Sequence, residues 1–538
     1  MFLRLFLALA PILVVPTIAT AVTEDDCNLY IDSNEHKLSE TLHVAEIRIN
    51  AGDLFDLGKA DHQRLVHRLS NSLHFKTRDQ TIAAALPFRA GDVFTQALLA
   101  ESERVLRSKR YIRDATVKAH TICDKGVVID VHTIDNWTLT PSLSFGRAGG
   151  ESTYTIEIQD LNFLGMGKEF KLHDQRSGDL RESTFIYGDD NILGGRHQIH
   201  LEIGDNDDGE LFDIQTGLPF YSHSSTHAWW LNISSQTLAY TSTNQSNQLI
   251  PVHTELADLR YNHRLQHSTN SSFIVGGGVR YARQKTHLKD NVTNSFALTD
   301  YQNTYPYLSA AWGRKRWLKK QNVDNIRVNE DINLGISIAA EAGFIAKGID
   351  NNQRNQLRLQ LGFGKGWQMS TRAFHKFEFK HTQFFNSVEK KQSTSGRYRY
   401  FRWLTQKDQL NIRLTAEQVQ GYSPISHKMV GGENGLKAYP HEFQRGENRA
   451  IGMIEYKHVT NWSPYSLAHT AFSIFAETGR AWTDSDDAKS LANVGVGFLL
   501  SPSRSSTAAI NRFEIAVPLV HGEDVGKYQF FIGTTVNY

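Results

Sequence analysis

Cysteine is almost missing from the 538 residues. There are two, Cys27 and Cys123, too few for a disulfide scaffold. An excess of one charge is missing as well: Lys+Arg 58 stand against Asp+Glu 57, and removing the first 21 residues, which hold one Arg and no acid, leaves 57 against 57. A nucleic-acid binder needs a basic face to displace counterions, so that class is excluded. Beyond residue 21 no apolar run approaches the ~18 residues that read as a transmembrane helix. With a mean hydropathy of −0.41 the chain is too polar for a helical membrane protein. Catalytic signatures are absent too: no G-x-S-x-G elbow, H-E-x-x-H helix, C-x-x-C pair or phosphate-cradling glycine loop occurs. No enzyme activity, metal or cofactor is expected. Histidine is plentiful at 23 but scattered; pairs such as His62/His67 and His173/His197 lack ligand spacing and read as wet polar faces.

What is present begins with a leader. Residues 1–21 carry one early positive charge at Arg4, an apolar stretch from Leu5 to Ile18, and then Ala19-Thr20-Ala21. That is the three-part pattern of a secretory signal peptide with an A-x-A cleavage site. The stretch is short and holds Pro11 and Pro16, which argues against a membrane anchor. In an oxidising compartment Cys27 and Cys123 could pair, or both could be buried thiols; spacing does not decide the geometry.

Tryptophan divides the rest. All nine lie at or after Trp137. After an extension over residues 22–43, residues 44–136 mix α and β patterns. Val44 to Asn50 alternates like a strand. Thr77-Arg78-Asp79-Gln80 fits a capping box leading into Ile82 to Leu86, and Pro87 stops that helix. A second helix over about Thr95 to Lys109 puts Leu98, Leu99, Val105 and Leu106 on one stripe. Strands at Ala115–Ile122 and Val127–Ile134 turn at Asp124-Lys125-Gly126. The order is β-α-α-β-β, with room for an added helix around Asp61 to Leu73.

Residues 137–538 alternate with a period of two. Leu357, Leu359, Leu361 and Phe363 oppose Arg358, Gln360, Gly362 and Gly364; at the end, Phe530, Ile532, Thr534, Val536 and Tyr538 share one face. A sheet crosses lipid without long apolar runs if it closes on itself and leaves no backbone edge. Its outer face is then apolar and its inner face polar. A soluble sandwich or propeller would alternate in the same way. The leader, the aromatic carboxy-terminal residue and a length without a repeat motif favour the barrel. Sixteen strands over residues 137–538 leave about 25 residues for each strand and its connection, ample for strands of ~9–11 spanning residues. The triplet Gly276-Gly277-Gly278 fits close strand approach.

Five motifs follow in order. Val430-Gly431-Gly432-Glu433-Asn434-Gly435-Leu436-Lys437-Ala438-Tyr439-Pro440 precedes Gly446-Glu447-Asn448-Arg449. Then come Phe475-Ala476-Glu477-Thr478-Gly479-Arg480-Ala481-Trp482, Val494-Gly495-Val496-Gly497-Phe498 and Arg512-Phe513-Glu514-Ile515-Ala516-Val517-Pro518-Leu519. This series resembles the carboxy-terminal barrel of the outer-membrane protein superfamily that includes BamA, TamA and the two-partner-secretion transporters. The amino-terminal unit, with Phe88-Arg89-Ala90-Gly91-Asp92 before its second helix, resembles their periplasmic POTRA domain.

The resemblance implies a POTRA-like α+β domain followed by an all-β transmembrane barrel of sixteen antiparallel strands in the bacterial outer membrane. It also implies a sixth extracellular loop folded into the lumen. In the family the loop tip carries Arg-Gly-Phe or Arg-Gly-Tyr, and the arginine meets an acid on the barrel wall. Here the tip is Lys437-Ala438-Tyr439, and the acidic position falls at Glu477, near Gly479. Alternation agrees, since Phe472, Ile474 and Ala476 would face lipid and Ser473, Phe475, Glu477 and Gly479 the lumen. A Lys437–Glu477 ion pair is expected, keeping the charges but losing arginine's fork. The implied work is insertion or translocation of polypeptides, with outer-membrane lipid, extended client chains and periplasmic or lipoprotein partners, without ATP or nucleic acid. Two other classes remain as alternatives: a passive pore or structural barrel with a periplasmic contact module, and a barrel hydrolase, for which no signature is visible.

Overall fold

The computed structural model describes residues 42–535, apart from 124–125, 149–150, 178–179, 193, 208, 223–224, 242–248, 269, 287–299, 351, 388–390, 423–425, 484–488, 505–509 and 523–524. The leader, Cys27, Val536 and Tyr538 lie outside the described residues.

The amino-terminal unit runs β1 (Val44–Gly52), α1 (Leu65–Leu73), α2 (Asp79–Ala85), α3 (Gln96–Ser108), β2 (Ile112–Cys123) and β3 (Gly126–Asp135). Three helices replace the two of the minimal expectation, α1 being the addition. The sheet order is β1-β3-β2, with β1 parallel and β2 antiparallel to β3. β3 is central and buried on both faces, which is why Val127, Ile129 and Val131 form the core with Ile82, Leu86, Leu99 and Leu106. Gly126, at the β2–β3 turn, has φ +127, and a Cβ there would lie 2.2 Å from the His43 carbonyl; no side chain fits.

The expected capping box does not form. Helix α2 starts after Arg78, and no side chain caps it. Thr77 has been recruited elsewhere: its N–H and its hydroxyl donate to Asp135 Oδ2 at 2.8 and 2.9 Å, and His74 Nε2 approaches the same oxygen at 3.0 Å. A buried carboxylate attracts donors more strongly than a helix start that water can reach.

Among the described residues twenty strands, not sixteen, follow. They run from Leu139–Ala148 to Gln529–Thr535 in one ring, each hydrogen-bonded to its neighbours, and two short hairpins stand outside it. The residue total limits the product of strand number and connection length, but neither separately. Connections as short as residues 371–372, between Gln356–Ser370 and Ala373–Phe385, make room for the extra strands. At the seam the first and last strands meet, among the described residues, through one pair, Ile532 with Arg147.

Alternation becomes two faces. On Ala468–Trp482, Phe472 and Ile474 are 53% and 60% exposed, whereas Ser473, Phe475 and Glu477 are 2%, 2% and 5% exposed. Leu361, Phe363, Val494, Val496, Phe513, Ile515, Phe530 and Ile532 continue the exposed apolar surface. An apolar girdle outside a polar interior is the pattern of a barrel that lipid solvates. Gly276 and Gly278 sit where a Cβ would lie 2.6 and 2.2 Å from carbonyls of the adjoining strand.

The amino-terminal unit docks on the mouth where the chain enters the ring. Asn162 donates to Thr77 Oγ1 at 2.8 Å, Arg78 N–H to the Gly165 carbonyl at 3.0 Å, and Arg196 to the Leu86 carbonyl at 2.9 Å. Lys109 pairs with Asp190 at 2.7 Å and Arg110 with Glu169 at 2.6 Å. Asp135 organises the Thr77 side of this joint. Asp135→Ala is expected to loosen the joint by ~2–4 kcal/mol, because the buried donors at Thr77 lose their acceptor. Trypsin would then cleave folded, membrane-inserted protein within residues 74–137 at least ~30-fold faster, as the population of the opened joint rises; an unchanged cleavage rate would show that the joint does not depend on this carboxylate.

Candidate functional site: the lumenal loop

Residues 421–447 join the strands Asp408–Gln420 and Asn448–Val459 at the mouth opposite the amino-terminal unit. A short ladder, Lys428–Val430 with Gln444–Gly446, narrows the loop's base. Beyond it the backbone turns sharply, with positive φ at Gly431, Gly432, Gly435 and Leu436. Gly431 has φ +120, and a Cβ there would lie 2.1 Å from the Pro440 carbonyl, so the turn that aims the tip inward requires glycine.

The tip is anchored by apolar burial on either side of one charge. Leu436, Ala438 and Tyr439 are fully buried against Val430, Phe475, Ala481, Leu491 and Ala516. Tyr439 places its hydroxyl 2.7 Å from the Ala492 carbonyl and 3.1 Å from that of Val520. A hydrophobic ring carrying a satisfied hydroxyl suits an anchor between a wall and a polar lumen.

Between these anchors Lys437 meets two acids. Its ammonium lies 2.8 Å from Glu514 Oε2 and 3.8 Å from Glu477 Oε1, and 4.3 Å from the Phe475 ring centroid. The nearer carboxylate is thus Glu514, on the strand Ile510–Pro518. That contact is an ion pair without the alignment of a hydrogen bond. Glu477 also holds the backbone: its Oε2 accepts the Lys437 N–H at 3.0 Å and the Asn493 amide at 3.1 Å. A lysine delivers a point charge to one carboxylate at a time, where an arginine's fork would reach both. Gly479, two residues on, leaves no space for a side chain, since a Cβ would lie 2.5 Å from the Ala450 carbonyl.

The charge network continues along the wall. Arg512 donates to Glu514 at 2.6 Å and to Glu455 at 2.7 and 2.9 Å, and Arg413 lies 3.7 Å from Glu455. Sequence reasoning named Glu477 as the partner of Lys437; Arg512 and Glu514 stood in the fifth motif without that role, and Glu455 was passed over. The signal was present: Arg512 and Glu514 alternate with outward Phe513 and Ile515, so parity alone sends them inward. Phe530 and Ile532 lie on the last strand with their side chains outward, on the opposite face of the wall from this cluster, while Phe531 between them brings its ring to 5.6 Å from the Lys437 ammonium.

No family model matches the chain, and no curated protein does. Among solved structures it is similar to CdiB from Acinetobacter baumannii, at 13% identity and a TM-score of 0.47, covering 92% of this chain and 73% of that one. CdiB from Escherichia coli gives 10% identity and a TM-score of 0.40, covering 95% and 94%. BamA from Haemophilus ducreyi lacking POTRA domains 1–3 gives 12% and 0.36, covering 95% and 88%.

Proposed function

We propose that this chain is an outer-membrane barrel that inserts or translocates polypeptides, with a POTRA-like unit on its periplasmic mouth. The observation that carries this reading is the lumenal loop. A barrel whose interior holds an inward-folded segment, seated through Lys437 on Glu477 and Glu514, is not an open water channel. Its interior instead contains a peptide segment that another peptide could replace.

The amino-terminal sheet offers a complementary surface. Among the described residues, β2 pairs with β3 on one edge only; near its start Glu103 accepts the Val117 N–H and Arg107 donates to the Ala115 carbonyl, while Thr116, Lys118, Ala119 and His120 are exposed. An extended client adding to that edge would gain backbone hydrogen bonds with little sequence preference. The strand would then pass to the lumen or to the seam between the first and last barrel strands.

A photo-crosslinking residue at Lys118 tests this in intact cells. Crosslinks to unfolded polypeptides, absent when the probe sits on the barrel's outer wall at Leu361, are expected. Stable conductance of the purified protein in planar bilayers, without client crosslinks, would instead establish a passive pore.

A further inference from the structure

At the mouth facing the amino-terminal unit most turns are brief, but one is not. Residues 315–335, between Tyr301–Arg314 and Ile336–Ile345, form a ribbon in which Trp317–Gln321 pairs with Asn329–Asn333. Short turns are the rule on the periplasmic side of such barrels. The ribbon's register gives it two faces of opposite character. Leu318 and Ile332 are paired on one face; Trp317, Asp331 and Asn329 lie on the other.

The apolar face meets the inside of the ring. Leu318 and Ile332 join Val323 and Leu334 against Phe374, Phe401 and Trp403. The tip goes further. Ile326 is fully buried among Val459, Ala471, Leu499 and Ile510. The last of these belongs to the ninth strand on from Tyr301–Arg314 in the ring of twenty, so the ribbon reaches a wall nearly opposite its root. Polar clasps hold the tip there: Arg399 pairs with Asp324 at 2.7 Å, and Arg327 donates to the Thr460 carbonyl at 2.8 Å. Glu330 fixes the tip's shape by accepting the backbone N–H groups of Val323, Asp324 and Asn325 at 2.8, 2.9 and 2.7 Å. Burial pushes its carboxyl up to about 7, and neighbouring Asp324 adds to the rise.

The polar face meets the amino-terminal unit. Arg107 on α3 forks onto Asp331, with Nε 2.9 Å from Oδ2 and Nη2 3.2 Å from Oδ1. Asn329 donates to Asp114 on β2 at 3.2 Å, and the Arg104 guanidinium lies 4.7 Å from the Trp317 ring centroid. A lone two-stranded ribbon is marginal in water. This one is covered on both faces.

We propose that residues 315–335 are a gate across the periplasmic mouth, latched to the barrel by its tip and to the amino-terminal unit by Arg107, so that movement of α3 opens the lumen. The inference needs a water-filled lumen but not any particular client. It can therefore fail while the polypeptide-handling reading stands, and the converse also holds.

Thiol accessibility tests it in the full chain reconstituted in vesicles, scored on molecules whose amino-terminal unit faces outward. Cys27→Ser and Cys123→Ser provide the background, and Thr415→Cys places a reporter on the wall, on the same face as Asn411 and Arg413. A membrane-impermeant maleimide should react slowly in this background and about tenfold faster after Arg107→Ala, the loss expected for a forked charge-assisted contact. Asp331→Asn should give a similar gain, and the double variant little more. Bridging Ile326→Cys to Leu499→Cys with a short bis-thiol reagent, with the reporter then at Thr415→His and read by its reaction with diethyl pyrocarbonate, should suppress the gain from Arg107→Ala. Equal rates with and without Arg107→Ala, or a gain that bridging does not suppress, would overturn the gate.

Discussion

Lys437→Glu should abolish assembly of the folded barrel. The substitution puts a third carboxylate beside Glu477 and Glu514, which are almost completely enclosed. Removing the cation alone, as in Lys437→Met, is expected to cost ~3–5 kcal/mol, the range for stranding a buried charge. The added anion raises that cost further. The measurement is the fast-migrating band of unboiled protein on a denaturing gel, which reports a closed, detergent-resistant barrel. The two carboxylates should respond differently. Glu514→Gln removes the acid in contact with both Lys437 and Arg512 and should reduce the folded band strongly. Glu477→Gln keeps an oxygen that can accept the Lys437 N–H, so its effect should be smaller. A charge swap of Lys437→Glu with Glu477→Lys should restore little. Full restoration by that swap, or equal losses for the two glutamines, would reverse the assignment of Glu514 as the nearer partner.

Arg512→Met is expected to have an effect of similar size by a different route. The guanidinium serves two buried acids, Glu455 and Glu514. Without it the nearest ion-pair partner left to Glu455 among the described residues is Arg413, at 3.7 Å, and Glu514 is left with Lys437. A loss of ~3–5 kcal/mol is expected, read as a lowered urea midpoint of the folded band in vesicles. Adding Glu455→Gln should recover part of it, because one uncompensated charge disappears. Arg512→Lys should fall between, since a lysine cannot fork to two carboxylates. A midpoint unchanged by Arg512→Met would mean that water enters this part of the lumen and screens the acids.

Much of this chain was legible because strand alternation depends on short-range geometry. Phe472, Ile474, Leu361 and Phe530 face outward as parity requires, and the order of strands and helices before Trp137 follows local patterns. The number of strands was not legible. A period of two says which way a side chain points but not where a strand ends, and among the described residues the ring holds twenty strands where sixteen were expected. The capping box failed for a related reason. Thr77 and Gln80 have suitable spacing, yet Asp135, fifty-eight residues away in sequence, takes the threonine's donors.

The lumenal loop shows the same division. Its glycines and the sequence Leu436-Lys437-Ala438-Tyr439 marked it in the chain, and alternation aimed Glu477 inward. Which carboxylate the ammonium approaches depends on how neighbouring strands are staggered, and that offset brought Glu514 closer. The ribbon at residues 315–335 was not legible as a separate element, because its two faces acquire meaning only when α3 and the far wall of the ring cover them.

The sequence by itself determined that the carboxy-terminal part would be an alternating sheet with an apolar face outward, since side-chain direction along a strand is set by the backbone one residue at a time. Tertiary structure alone decided how many strands share the ring, which acids surround Lys437 and what the long turn touches. Those outcomes depend on contacts between residues far apart in the chain, where a shift of one strand against the next changes every partner across it.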